Sequence, residues 1–173
     1  GYIEYPMKDN HLRRLVLTAL FIAITVSIQA LRMPQPVTGP LVNCMLLLSA
    51  LFVGPIAGIL VGLVTPLIAS LVGILGAPTL IPFIMLSNGA YVFCFYLGRK
   101  LLGKKVLGSA VGTLGGAVVK FLLLSLAVNY IVEVPAVAAK AMQLPQLITG
   151  IAGGIIAVIA AKLIARSGRK ELF

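Results

Sequence analysis

Residues 41–75, LVNCMLLLSALFVGPIAGILVGLVTPLIASLVGIL, run for 35 positions without a charged side chain. As a single helix rising 1.5 Å per residue the stretch is roughly 52 Å long, far beyond a hydrocarbon core of about 30 Å. The dipeptide Gly54-Pro55 divides it: glycine supplies backbone freedom, and proline lacks the donor that a continuing helix needs. A tight helical hairpin is predicted, with spans over 41–53 and 55–75. The whole 173-residue chain has the same character, 60% hydrophobic and 10% charged, with a mean hydropathy of +1.11. Soluble domains carry about 25% charged residues, so this composition implies an integral membrane protein.

Apolar runs at 13–31, 80–98, 106–132 and 143–165 bring the spans to six. The fold class is an all-α integral membrane protein, a six-transmembrane-helix bundle forming a single domain over 7–173. Residues 1–6 precede Met7, which reads as a native start, and are expected to be a remnant outside the fold. The run Leu15 to Leu31 ends without a small-residue cleavage pattern and is expected to remain as the first span.

The formal charge is +10, from 14 Lys and Arg against 4 Asp and Glu. In a chain this apolar the excess reads as topology, not as a nucleic-acid surface. Lys8, Arg13 and Arg14 precede the first span; Arg99, Lys100, Lys104 and Lys105 follow the fourth; Lys162, Arg166, Arg169 and Lys170 close the chain. Six spans place all three clusters on one side. The positive-inside rule makes that side cytoplasmic, with both termini there.

Lys120 is the one ionisable residue clearly inside a span, and such a residue is a functional-site hypothesis by default. Counting back from Tyr130 puts it about 15 Å below the outer end. Asn88, Thr149, Gln146 and Asn43 fall in the same outer half, and Gln29, Arg32 and Gln35 at the outer end of the first span and beyond. The inner halves are almost entirely Ala, Val, Leu, Ile and Gly. Polarity is thus arranged as in a pocket open outward and closed below. The Asn, Gln and Thr side chains are either its lining or interhelical hydrogen-bonding groups. Glu133 lies almost 20 Å along the helix from Lys120, and no Asp or Glu occupies a core segment. The counter-ion of Lys120 is therefore expected to arrive with a ligand carrying carboxylate or phosphate. The segment from Arg32 to Pro40, with Gln35 and Thr38, holds three prolines and a glycine; it is either a connector or a lid loop.

Small residues recur at four-residue spacing: Ala19 and Ala23; Gly54, Gly58 and Gly62; Ala157, Ala161 and Ala165. Such spacing lets helices approach closely. Ala19 and Ala23 stand out because they lie in the cytoplasmic half of the first span, where a partner can meet them. There is no phosphate-binding loop, no His-Glu-x-x-His, no Gly-x-Ser-x-Gly and no acidic cluster. Catalytic residues, a metal site and a cofactor are therefore not expected. His11 belongs to the basic leader, and Cys44 and Cys94 sit at opposite depths, against a disulfide.

Basic residues, the Ala19-x-x-x-Ala23 pair, a Pro-rich outer loop and the hairpin from Thr38-Gly39-Pro40 through Gly54-Pro55 to Gly58 and Gly62 together resemble the substrate-binding S components of energy-coupling factor (ECF) vitamin transporters. The resemblance extends over essentially the whole chain from Met7. It implies a subunit of an ATP-driven uptake system in a prokaryotic cell membrane, capturing a small vitamin-like ligand under the first outer loop. It also implies that Ala19 and Ala23 dock on a transmembrane coupling subunit driven by two cytoplasmic ATPases. The ligand-binding set is Asn43, Asn88, Tyr91, Lys120, Gln146 and Thr149. With no Trp present, Tyr91, Tyr130, Phe83 or Phe121 would supply stacking, which favours a small ligand. An acid such as pantothenate, nicotinate or a folate-like molecule suits Lys120, with a neutral pyrimidine or flavin still open. The alternatives are a small secondary transporter or facilitator acting as a homodimer, and a non-transporting scaffold.

Overall fold

The computed structural model describes residues 6–75 and 77–168. The reading of residues 1–6, apart from Pro6, lies outside them, as do Arg169 and Lys170. The described chain is helical: α1 (Pro6–Ala30), α2 (Gln35–Phe52), α3 (Pro55–Leu71), α4 (Ile81–Leu102), α5 (Val106–Leu126), a short α6 (Ala136–Ala141) and α7 (Leu144–Gly168). A single 3₁₀ turn, Pro78–Leu80, leads into α4, and a π-helical turn, Ala127–Ile131, extends α5. Five of the six long helices have the length and composition to cross a membrane; α3 is apolar but only 17 residues long.

The hairpin forms at the expected place. Gly54 between α2 and α3 has φ +148° and ψ 163°, a region open essentially to glycine alone, and Pro55 starts α3 without costing a hydrogen bond. Four boundaries depart from expectation by four residues or more: α1 begins at Pro6 and not at 13, α4 runs to Leu102 and not to 98, and α2 and α3 differ in ways that shape the site. The segment from Gln35 to Pro40 is not a loop: it forms the first turns of α2, with Pro36 in the opening turn and Pro40 inside the helix. Proline is tolerated in a first turn, where the backbone N–H groups have no intrahelical partner. Only residues 31–34 connect α1 to α2, so Gln35 and Thr38 are helical and the lid expected from them is reduced to that short connection. Conversely, α3 stops four residues before the expected end, because Gly73 at φ +81° closes it with Ile74 N–H donating to Ala69 O at 2.7 Å, a left-handed glycine stop.

Helices α2, α3, α4, α5 and α7 close a ring, each packed on the next and α7 returning to α2; α1 lies outside it, against α2 and α3. The α4–α5 seam is backbone against backbone: a Cβ on Gly98 would sit 2.5 Å from Gly112 Cα, and one on Gly112 would sit 2.7 Å from Phe95 O. The apolar core fills one half of the ring, with Leu46, Leu47 and Leu51 of α2, Val92 and Phe95 of α4, and Ala157 and Ala161 of α7 almost fully buried. Ala157 and Ala161 are thus internal packing, whereas Ala19 and Ala23 are exposed.

Replacing Gly54 by Ala forces a side chain into the strained backbone region and is expected to destabilise the protein by about 1–3 kcal/mol. Gly115→Ala, where a Cβ meets nothing within 4 Å, provides the matched control and should melt at or above the parent temperature in detergent.

Candidate ligand-binding site

Lys120 is carried by α5 one turn beyond Gly116, which touches Tyr91 of α4. This close approach delivers the lysine into the ring, where it is 5% exposed. Its Nζ donates to Asn43 Oδ1 of α2 at 2.8 Å and to Asn88 Oδ1 of α4 at 2.7 Å. It also stands 5.6 Å from the centre of the Tyr91 ring, a cation over an aromatic face. No carboxylate takes part in these contacts. The ammonium has three protons to donate, two of which go to the asparagines.

Each partner is itself fixed. Asn88 Nδ2 donates to Gly62 O at 2.9 Å, and its Cβ fits where a Cβ on Gly62 would approach to 2.9 Å. Asn43 packs on Gly153 of α7, where an added Cβ would come within 2.6 Å. Tyr91 Oη donates to Gly150 O of α7 at 2.6 Å. The glycine spacing Gly58–Gly62 seen in the sequence thus has a specific task at Gly62: it admits the asparagine that orients Lys120.

Above this floor opens a cavity of about 360 Å³. Its polar lining includes Asn43, Asn88, Lys120, Gln146, Arg32, Gln35 and Thr38, seven of the residues selected from sequence. Gln29 lines it as well, and its Oε1 is buried without a hydrogen-bond partner. The walls are Met33, Val42, Ile74, Leu75, Ile84 and Met142. Arg32, at φ +52°, reaches over to Gly73 O at 3.2 Å and ties the α1–α2 connection to the segment after α3.

Two selected residues do not line the cavity. Tyr91 is fully buried beneath Lys120, acting through it. Thr149 is 5% exposed and packs on Gly39 of α2, where its methyl group fills the space that the missing side chain leaves. The expected aromatic wall is also missing: Tyr130 is 81% exposed, and neither Phe83 nor Phe121 is among the cavity's lining. Flexible methionines and aliphatic side chains take that place, as adaptable apolar surface. Of the apolar walls, none selected from sequence, Met33, Ile74, Leu75 and Met142 come from connections between helices, and Val42 and Ile84 from α2 and α4, where an apolar residue facing the cavity reads like any other apolar residue of a span. Cys44 and Cys94 are free thiols, Cys44 buried and Cys94 half-buried.

The family model for the substrate-specific component of ECF transporters matches residues 13–165. The chain belongs to this family of membrane transport subunits, which are non-catalytic. No curated protein and no solved structure matches it.

The Lys120 cluster makes a quantitative prediction. Asn43→Ala leaves a buried ammonium short of an acceptor and should cost about 1–3 kcal/mol of stability. In a Lys120→Met background the same change should cost under about 1 kcal/mol, and a double-mutant cycle on thermal melts measures the difference.

Proposed function

We propose that this substrate-specific component captures a small, anionic, vitamin-like ligand in the cavity above Lys120 and delivers it through a separate ATP-driven module. The observation that carries the reading is Lys120 itself: a buried cation at the floor of a cavity, held by two amide oxygens and, among the described residues, faced by no carboxylate. An ammonium oriented by neutral acceptors keeps its charge uncompensated, and a ligand carboxylate or phosphate completes it. The cavity of about 360 Å³ lies in the ordinary range for small-molecule sites, and its cationic floor supports an acid such as nicotinate or pantothenate. The unpartnered Gln29 Oε1 supports a ligand that also brings a donor group.

The orientation follows from charge. The clusters around Arg13, Arg99 and Lys162 gather at the end away from the cavity, so the positive-inside rule puts that end in the cytoplasm and the cavity mouth outside. Both termini are then cytoplasmic, in the cell membrane of a prokaryote. The coupling subunit docks on α1, where Ala19 and Ala23 form an exposed stripe of small residues outside the ring, and two cytoplasmic ATPases drive it.

Lys120→Met should weaken ligand binding by about 10- to 100-fold, the worth of one charge-assisted hydrogen bond. Native mass spectrometry of the gently purified protein reads this as loss of a bound small molecule. Retention of the same molecule by the variant would overturn the site.

Ala19→Leu and Ala23→Leu should abolish co-purification with the coupling subunit while leaving ligand retention intact. Loss of both would mean that α1 supports the fold instead of a docked partner.

A further inference from the structure

A larger cavity, of about 580 Å³, opens at the opposite end of the bundle. It sits beside the last two turns of α4, roughly 16 Å along that helix from Asn88. Its chemistry is unlike that of the ligand cavity. Phe95, Tyr96 and Pro55 form apolar walls, and Arg99, Lys100 and Lys104 line it with cationic groups. Arg99 is only 6% exposed, and its Nη1 donates to Ser109 Oγ in the first turn of α5 at 2.6 Å. Its guanidinium also stands 5.8 Å from the Phe95 ring centre, and Lys100 Nζ stands 5.7 Å from that of Tyr96.

Two helices begin here. α3 starts at Pro55, on the cavity wall, and α5 starts two residues after Lys104; neither has a side-chain cap. Helix N-termini carry partial positive charge and free backbone donors, which add to the three cations. Among residues whose side chains are described, the only carboxylate is Glu133, beyond the far end of α5. The cavity joins a polar part lined by three cationic side chains to an apolar part, at the basic end of the bundle.

Orientation signalling alone needs cations in water, and Lys100 and Lys104 are exposed, as Lys162 and Arg166 of α7 are. It does not need an arginine withdrawn from solvent beside an aromatic-walled cavity. We propose that this cavity seats the phosphate headgroup of an anionic phospholipid, with Lys100 and Lys104 on the phosphate and an acyl chain along Phe95 and Tyr96. Basic pockets between transmembrane helices have the chemistry for such headgroups.

The test is native mass spectrometry of the full chain with phosphatidylglycerol and, in parallel, phosphatidylcholine. Phosphatidylglycerol should survive activation at least about fivefold better. The double variant Lys100→Gln/Lys104→Gln should remove that advantage, at about fivefold per lysine. The double variant Lys162→Gln/Arg166→Gln, with the same change in net charge, should keep it. Equal retention of the two lipids, or equal loss in both double variants, would overturn the assignment; the first would leave an acidic protein surface as what these cations meet. Displacement of phosphatidylglycerol by millimolar inorganic phosphate would also overturn it, making a free anion the occupant.

Discussion

An ammonium group inside a membrane bundle must find acceptors, and in this protein that requirement organises the helices around it. Lys120 on α5 is satisfied by Asn43 on α2 and Asn88 on α4. Asn88 in turn donates to α3, and Tyr91 below the ammonium donates to α7. One cation thereby links every helix of the ring. A buried charge costs several kcal/mol when unpartnered, so each of these helices is held in the register that supplies its acceptor. The close glycine contacts at Gly62, Gly116 and Gly153 follow from the same need, since the lysine reaches its partners only if the backbones come near.

The two halves of the bundle do different physical work. The half built from Leu46, Leu47, Leu51, Phe95, Ala157 and Ala161 has an almost fully buried apolar centre, with the cationic cavity at its margin; close-packed interiors of this kind transmit displacement and do not absorb it. The half above Lys120 is a cavity whose walls include methionines and short connections, with Arg32 tied to Gly73 across its rim. Rigidity below and adaptability above suit a subunit that must recognise one small molecule while keeping the membrane sealed.

Much of this was legible in the sequence because lipid leaves few options. A charge-free stretch longer than the bilayer with Gly54-Pro55 inside it has to turn there, and it does. Depth along a helix is a linear measure, so counting residues placed Lys120, Asn88, Asn43 and Gln146 in the same outer half. Counted from a span beginning at 41, Asn43 falls nearer the surface than the ammonium, which it meets because α2 begins at Gln35. What depth cannot give is azimuth. Thr149 lies at the right height but turns toward Gly39, and Tyr91 lies beneath the lysine and not beside the ligand space. The α1–α2 connection differs for another reason: three prolines in nine residues resemble stiff loop chemistry, yet Pro34 precedes the helix, Pro36 stands in its first turn, where no hydrogen bond is lost, and Pro40 is carried inside it. The cationic cavity at the far end escaped notice because basic residues there have a sufficient explanation in topology, which hid the burial of Arg99.

The placement of α1 outside the ring separates two kinds of inheritance. The hydrogen-bond partners of Lys120 and the groups that fix them belong to α2, α3, α4 and α7, while Ala19 and Ala23 are exposed on a helix that gives the cavity Gln29 and leads into the Arg32 connection. Substitutions that reshape the cavity and substitutions that alter the outer stripe therefore fall on different residues and accumulate independently. A lineage of such chains can drift in what it recognises while its outward face stays constant, and a new specificity can be acquired without renegotiating that face.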